Sequence, residues 1–202
     1  MKKIFLLVIA AVVSLSASAQ FRWGVTAGAN FTSDHFKQDL VHISMLPGFN
    51  VGVMGELMFP GIGFGVDFGL RYDMHGSKVN LGQREVWAED NFGDEKCYVH
   101  TLQLPVNLRF KYTNLNGIER KVAPFVFGGP IFSVNVGHSD VKAMEYPGGS
   151  FMLQCGIGAE LFEHFQISGG YYWGMTYELR TRKLENFSGR PQGWTINAAY
   201  LF

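Results

Sequence analysis

Alternating apolar and polar positions run through most of the chain. Residues 64–74 show the pattern most clearly, because every second residue is apolar and the residues between them are Gly, Asp or Arg. Successive side chains of a β-strand point to opposite faces, so this pattern predicts a strand with one apolar and one polar face. The other stretches that show it are residues 21–32, 47–59, 98–112, 122–136, 150–162, 165–179 and 193–202. The sequence therefore predicts eight strands.

The connections between these predicted strands alternate in length. The short turns are residues 60–63, 114–117 and 163–164, and the longer polar stretches are residues 33–46, 76–97, 137–149 and 180–192. Short turns at one end and long loops at the other are typical of an antiparallel up-and-down barrel, a β-meander whose first and last strands pair and leave no exposed edge. At Gly128-Gly129-Pro130 we expect a β-bulge, because Pro lacks a ladder donor.

The apolar faces carry aromatic residues near both strand ends. The level of the short turns would hold Phe21, Trp23, Phe59, Phe64, Phe110, Tyr112, Phe125, Phe165, Tyr200 and Phe202, and the level of the long loops Phe31, Phe49, Tyr72, Tyr98, Phe151, Trp173, Tyr177 and Trp194. Two aromatic girdles are typical of a transmembrane barrel, because these rings favour the headgroup region of a bilayer. The main structural alternative is a soluble, lipocalin-like barrel.

The N-terminus has the features of a cleavable signal peptide. Lys2 and Lys3 precede an apolar run at residues 4–13, and Ala17-Ser18-Ala19 is a suitable cleavage site. We therefore expect a signal peptide at residues 1–19 and the barrel domain at residues 20–202. Beyond residue 19 no apolar stretch is long enough for a spanning helix, so any membrane span must be made by strands.

Composition narrows the class of function. Charged residues make up only 17% of the chain, against about 25% in ordinary soluble domains. Without residues 1–19 the chain has 15 basic and 17 acidic residues, a formal charge of −2. This charge gives no support to nucleic-acid binding.

Several short motifs occur in a characteristic order. They are G-V-T-A-G-A-N at residues 24–30, P-G-F-N-V-G at 47–52, L-x-Y-x-x-x-G at 70–76, L-P-V-N-L-R at 104–109, A-P-F-V-F-G-G-P at 123–130 and G-I-G-A-E-L at 156–161. In this order they resemble the PorT-like outer-membrane β-barrel domain of anaerobic Gram-negative bacteria. The resemblance covers essentially the whole mature chain. It implies an eight-stranded barrel in the outer membrane, and it implies no single activity. The short turns and long loops resemble those of small outer-membrane barrels, which would place both termini in the periplasm.

The last strand has a further resemblance. It ends on the aromatic residue Phe202, preceded by the aromatic Tyr200 on the same face. Such an ending resembles the signal that the barrel-assembly machinery recognises during insertion of outer-membrane barrels. We expect outer-membrane lipid to be the other partner of this surface.

The polar faces of the strands carry charges that would point into the barrel. We expect a lumen charge network of Arg22, Glu56, Asp67, Arg71, Arg109, Lys111 and Glu160, with Asp73 and Glu178 also facing inward. An eight-stranded barrel has an interior just wide enough to be filled by side chains, and buried charges must be partnered. The favoured interpretation is a plugged lumen, and the alternative is an ion path. Interior glycines would make room for the long side chains.

Other candidate sites are weaker. The six His residues are scattered without ligand-like spacing, so we predict no metal site and no cofactor. His75 with Ser77, or His100 with Thr101, lies where a rim enzyme would place catalytic groups, but no nucleophile, base and orienting group are arranged together, and we expect a non-enzyme. Cys97 is predicted in an outer loop and Cys155 on the lipid side of a strand, both as free thiols.

The function expected from the sequence is a structural role or the binding of a partner protein. The second long loop contains the aromatic residues Trp87 and Phe92 and five acidic residues, which fit either a solvated loop or a partner surface. We expect a plugged outer-membrane barrel that acts through its outer loops, toward an envelope protein partner or within a secretion assembly. A narrow porin-like channel is the second hypothesis, and a rim-sited lipid-modifying enzyme is the third.

Overall fold

The computed structural model describes residues 20–36, 42–59, 63–80, 94–112, 121–141, 144–181 and 188–202. The predicted signal peptide and the 114–117 turn lie outside these residues. The strands are β1 (Gln20–Phe36), β2 (His42–Met58), β3 (Phe64–Asn80), β4 (Asp94–Lys111), β5 (Val122–His138), β6 (Met144–Glu145), β7 (Gly149–Leu161), β8 (Phe165–Gly174), β9 (Leu179–Thr181) and β10 (Ser188–Leu201). Among the described residues no helix is long and apolar enough to cross a membrane.

The eight long strands form a closed antiparallel barrel. Each pairs with the next long strand in the chain, and β1 also pairs with β10 from Gly24 opposite Leu201 to Phe36 opposite Gly189. β10 pairs on its other side with β8, with Tyr200 opposite Phe165. The predicted eight-stranded meander and the pairing of its first and last strands are confirmed. Closure leaves neither β1 nor β10 with an unpaired edge.

Several strands are longer at the loop end than the sequence pattern predicted. β1 continues to Phe36, β3 continues to Asn80 and β4 begins at Asp94, so parts of the polar stretches 33–46 and 76–97 are strand rather than loop. Their outward side chains, such as His35 and Lys78, are polar. Their inward side chains mix polar Asp34 and Ser77 with apolar Phe36, Val79 and Cys97, so the regular alternation is lost from the sequence although the backbone ladder continues.

The predicted bulge at Gly128-Gly129-Pro130 is wrong. The ladder between β5 and β7 runs through these residues without a shift, and the ladder between β4 and β5 has the same register on either side of them. The register of that ladder shifts instead between His100 and Thr101, and a second shift lies between Met45 and Phe49, around Pro47. Loss of one donor at Pro130 therefore removes a hydrogen bond without adding a residue to the strand.

The position predicted for Phe125 in the outward aromatic girdle is also wrong. Phe125 is only 3% exposed and points into the barrel. Its ring lies over Gly158 of β7, where a Cβ atom would collide with it, and the Arg109 guanidinium stacks on the ring at 4.1 Å. Because Gly158 has no side chain, the large ring of Phe125 fits inside the barrel.

The loop end of the barrel is closed by a small apolar core, which we call the apolar cap. Its buried members are Phe36, Val79, Cys97, Val141, Met144 and Leu179. The short strands β6 and β9 bring Met144 and Leu179 to this place, because β9 pairs with β10 and β6 pairs with β9. The prediction that Cys97 lies in a loop is wrong, since Cys97 is a fully buried β4 residue. Cys155 is exposed within β7 as predicted, and both thiols are free.

Candidate functional site

A layer of paired charges fills the lumen near the end that carries the short turns. We call it the charge layer; its members are Arg22 on β1, Glu56 on β2, Asp67 on β3, Arg109 and Lys111 on β4, and Glu160 on β7. Alternation directs each of them inward, and the strand register sets them at similar heights: Arg22 is opposite Glu56, and Glu56 is opposite Asp67. The layer thus joins strands from most of the barrel's circumference.

Glu56 is at the centre of this layer. Its side chain has no exposed surface, and its two oxygens contact three cations: Arg22 at 2.5 Å, Arg109 at 2.7 Å and Lys111 at 3.0 Å. Gln166 of β8 also donates to Glu56, at 2.7 Å. A carboxylate removed from water needs such partners, because an unpaired buried charge is very unfavourable.

The other two carboxylates complete the pairing. Glu160 accepts from Arg22 at 2.6 Å and from Lys111 at 2.7 Å. Asp67 pairs with Arg109 at 2.7 Å and accepts a further hydrogen bond from Asn107 at 2.5 Å. The three cations of the layer therefore face three anions in direct contact, so this layer carries no net charge and its polar atoms are used within the protein.

Arg71 is the one member of the predicted network that lies apart from this layer. It is buried in the middle of the lumen, where its Nε donates to Gln103 at 2.8 Å. Between Arg71 and the charge layer lies a cavity of about 70 Å³, whose lining includes the polar side chains of Thr26, Gln154 and Asn197. A cavity of this size has room for a few water molecules, and these polar side chains offer them hydrogen-bond partners.

A second group of ion pairs lies above Arg71, toward the loop end. His75 is held between two carboxylates, with Nδ1 2.5 Å from Asp73 and Nε2 2.8 Å from Glu178. Glu178 comes from the segment between β8 and β9, and its backbone N–H donates to Gly189. His75 therefore ties that segment to β3 from inside the barrel.

The neighbouring charges determine the protonation of His75. Burial alone would lower the pKa of the imidazole, but Glu178 and Asp73 together raise this pKa well above its usual value. Both ring nitrogens face carboxylate oxygens, which fits a doubly protonated ring that donates twice. Nearby, burial raises the pKa of Asp34 to about 6, and Ser77 donates to that carboxyl at 2.5 Å.

The side chains considered for catalysis make hydrogen bonds other than those of a nucleophile–base pair. Ser77 donates to Asp34, whereas His75 contacts Asp73 and Glu178. His100 accepts from or donates to the Tyr72 hydroxyl at 2.6 Å on the outside of the barrel. Within the described ranges no group of three His, Cys, Asp or Glu residues is placed to hold a metal ion.

Nine of the aromatic residues predicted for the girdles lie on the outside of the barrel, whereas Phe125 points inward. Trp23, Phe64, Tyr112, Trp173, Trp194, Tyr200 and Phe202 are exposed, and Phe59 and Tyr72 are half-buried. Several of them contact each other across the closing seam: Trp23 stacks on Phe202 at 4.4 Å between ring centroids. Between the two ends the exposed surface is also apolar, for example at Leu104, Leu108 and Ile157. The barrel therefore has an apolar exterior and a polar, fully paired charge layer inside.

An apolar exterior around a polar interior reverses the arrangement of a soluble barrel, and the sequence comparison agrees with it. The profile of the outer membrane protein β-barrel domain family matches residues 14–180. The chain belongs to this family. This membership supports a location in the outer membrane of a Gram-negative bacterium.

Solved structures of other small barrels are similar in fold. The outer membrane protein OprG from Pseudomonas aeruginosa superposes with a TM-score of 0.52 at 13% sequence identity, covering 91% of this chain and 95% of OprG. Neisserial surface protein A gives a TM-score of 0.50 at 12% identity, covering 89% of this chain and 97% of that protein. No curated protein sequence matches the chain. At such low identity the likeness concerns the fold alone.

Sequence reasoning missed part of the lumen chemistry. Gln166 bridges Glu56 and Glu160, and Gln154 donates to Asn107. Both are inward positions of an alternating strand, so their direction was readable, but uncharged amides gave no reason to select them. The link between His75 and Glu178 joins residues that are 103 positions apart, and only barrel closure brings them together.

We predict that Glu56→Gln destabilises the barrel by about 3 kcal/mol or more, because removing one partner of a buried ion pair leaves the others uncompensated. Urea unfolding of the protein in lipid vesicles, followed by Trp fluorescence, measures this loss. Glu163→Gln is the matched control, since Glu163 is exposed in the turn after β7. Equal stability of Glu56→Gln and the unmodified protein would contradict the central role of Glu56.

We also predict that His75 makes the stability depend on pH. Because its folded pKa is raised above the unfolded value, its contribution is complete below about pH 6.5 and is lost as the pH rises through the folded pKa. The free energy of unfolding should therefore fall between neutral and alkaline pH. His75→Gln should be less stable at neutral pH and show less of this fall, whereas His138→Gln, at an exposed histidine, should keep it. Parallel curves for His75→Gln and the unmodified protein would refute the prediction.

Proposed function

We propose that this protein is a non-enzymatic structural or interaction component of the outer membrane, with a plugged lumen. The observation that supports the proposal most directly is the charge layer, in which three cations and three anions neutralise one another across the barrel. A partner in the envelope, or a secretion assembly, would then be engaged through the loops at the far end. The PorT-like assignment, suggested by the order of the sequence motifs, is part of this proposal.

Two barriers argue against an open pore. The charge layer fills the lumen near the turn end, and the apolar cap fills it at the loop end. An ion crossing the barrel would have to separate Glu56 from its partners and then enter an apolar region. Both steps are unfavourable, because each leaves a charge without solvation or partner.

The porin-like channel is the second candidate, and one observation favours it. The middle of the lumen is polar and contains the cavity of about 70 Å³ next to Arg71. The side chains on either side, Asp67 and Gln154, are of the kind that line aqueous paths. If the two barriers moved, this cavity would become part of a continuous path.

We predict that the unmodified protein gives no steady conductance in planar lipid bilayers. The paired charges leave no free path, whereas removal of two of the three cations in Arg109→Ala/Lys111→Ala should open the charge layer and raise the frequency of current steps. Steady openings of the unmodified protein that disappear in Glu56→Gln or Arg109→Gln would support the channel instead. Lys96→Gln is the control, because Lys96 is exposed outside the lumen.

We further propose that both termini face the periplasm and that the long loops face outward. The exposed aromatic residues near both strand ends are consistent with two bilayer interfaces, and the long strand extensions at the loop end would project from the outer surface. On this arrangement the Phe202 end of β10 is available to the barrel-assembly machinery during insertion.

The orientation can be tested by thiol labelling of whole cells. In a background with Cys97 and Cys155 replaced, Gly148→Cys at the exposed loop end should react with a membrane-impermeant maleimide, since a Cβ at Gly148 meets open space. Glu163→Cys at the turn end should react only after the outer membrane is permeabilised. The opposite labelling pattern would reverse the proposed orientation.

A further inference from the structure

Two arginines and a tyrosine form a cluster on the outside of the barrel, beyond its loop-end aromatic residues. We call it the rim cluster: Arg180 on β9, Arg190 on β10, and Tyr177 in the segment between β8 and β9. The Arg190 guanidinium lies 4.9 Å from the centre of the Tyr177 ring, and the Arg180 guanidinium lies 6.0 Å from it. Arg190 also donates to the Tyr177 hydroxyl at 3.5 Å. The β9–β10 ladder sets Arg180 opposite Ser188, so Arg190, two residues further along β10, is a diagonal cross-strand neighbour of Arg180.

Within the described part of the chain, neither guanidinium is neutralised by a carboxylate. Arg22 and Arg109 each contact two carboxylates, whereas the ion pairs of the described residues include neither Arg180 nor Arg190. Glu145 stands opposite Arg180 in the β6–β9 ladder without forming an ion pair with it. The Nε atom of Arg190 is buried and has no hydrogen-bond partner. Two like charges held together in this way favour an anionic ligand between them.

The height of the cluster suggests where such an anion would come from. Arg190 precedes the exposed Trp194 by four residues on the same face of β10. With a rise of about 3.3 Å per residue and a strand tilt of about 40°, Arg190 lies roughly 10 Å beyond the Trp194 ring. If Trp194 marks the interface with the hydrocarbon, this is the level of the lipid headgroups and their phosphates.

We infer that Arg180, Tyr177 and Arg190 form a binding site for the phosphate group of a membrane lipid. A guanidinium binds phosphate through two parallel N–H donors. Two guanidinium groups held at one tyrosine ring can both direct such donor pairs at a single phosphate. Stacking on Tyr177 leaves the N–H edges of the guanidinium groups available to the ligand. The inference depends on the proposed orientation in one respect only, because the orientation determines which leaflet of the membrane supplies the lipid.

The test compares lipid phosphate with free phosphate on protein purified in detergent. Short-chain phosphatidic acid is titrated against the protein and binding is followed by native mass spectrometry, with diacylglycerol of the same chain length and inorganic phosphate as the other arms. We expect Arg180→Gln/Arg190→Gln to weaken phosphatidic acid binding by about tenfold or more, because charge-assisted hydrogen bonds are lost. Lys96→Gln, which removes an exposed cation at the same end of the barrel, should change binding less than about twofold.

Each outcome of the binding measurements supports or contradicts the proposed lipid-phosphate site. Equal binding of phosphatidic acid to the double variant and to the unmodified protein would overturn the site, provided that heat-modifiable gel mobility shows both to be folded. If inorganic phosphate bound as tightly as phosphatidic acid, the ligand of the site would be a soluble anion and not a lipid. If diacylglycerol bound as tightly as phosphatidic acid, the phosphate group would not be recognised. A reversed orientation would appear in the thiol labelling described above and would leave this measurement unchanged.

Discussion

The closure of the sheet through the β1–β10 seam is the constraint on which the rest of the structure depends. The hydrocarbon region of a bilayer offers no water to unpaired backbone groups, so each strand must find a partner on both sides. The seam satisfies the last two edges, from Gly24 opposite Leu201 to Phe36 opposite Gly189. Once the sheet is closed, alternation divides every strand into a face toward lipid and a face toward the lumen.

Closure of the barrel also makes it necessary for the inward-facing polar side chains to find partners within the lumen. Polar side chains that face inward lose most of their water, since eight strands enclose little free space. The charge layer meets this loss with direct contacts around Glu56, and amides such as Gln166 use the remaining acceptors. Because the partners of Glu56 come from β1, β4 and β8, the same contacts hold distant strands in register.

The two ends of the barrel differ in the forces that hold them. Ion pairs dominate near the turn end, whereas the loop end is filled by the apolar cap, which depends on the short strands β6 and β9. His75 stabilises the loop end beside the cap, because it reaches Glu178 just before Leu179 enters the cap. The outer surface above the aromatic residues is different again, with arginines on Tyr177 in place of buried pairs.

The sequence by itself determined the eight long strands, their order, the pairing of the first and last, and the inward direction of residues such as Glu56 and Arg109. These properties follow from a period of two and from connection lengths, which are local. Only the tertiary structure decided that Phe125 turns inward, because its place depends on Gly158 of the neighbouring strand. It also decided that Cys97 lies in a core and that His75 meets Glu178. Such contacts depend on register and closure, which bring together residues that no local pattern relates.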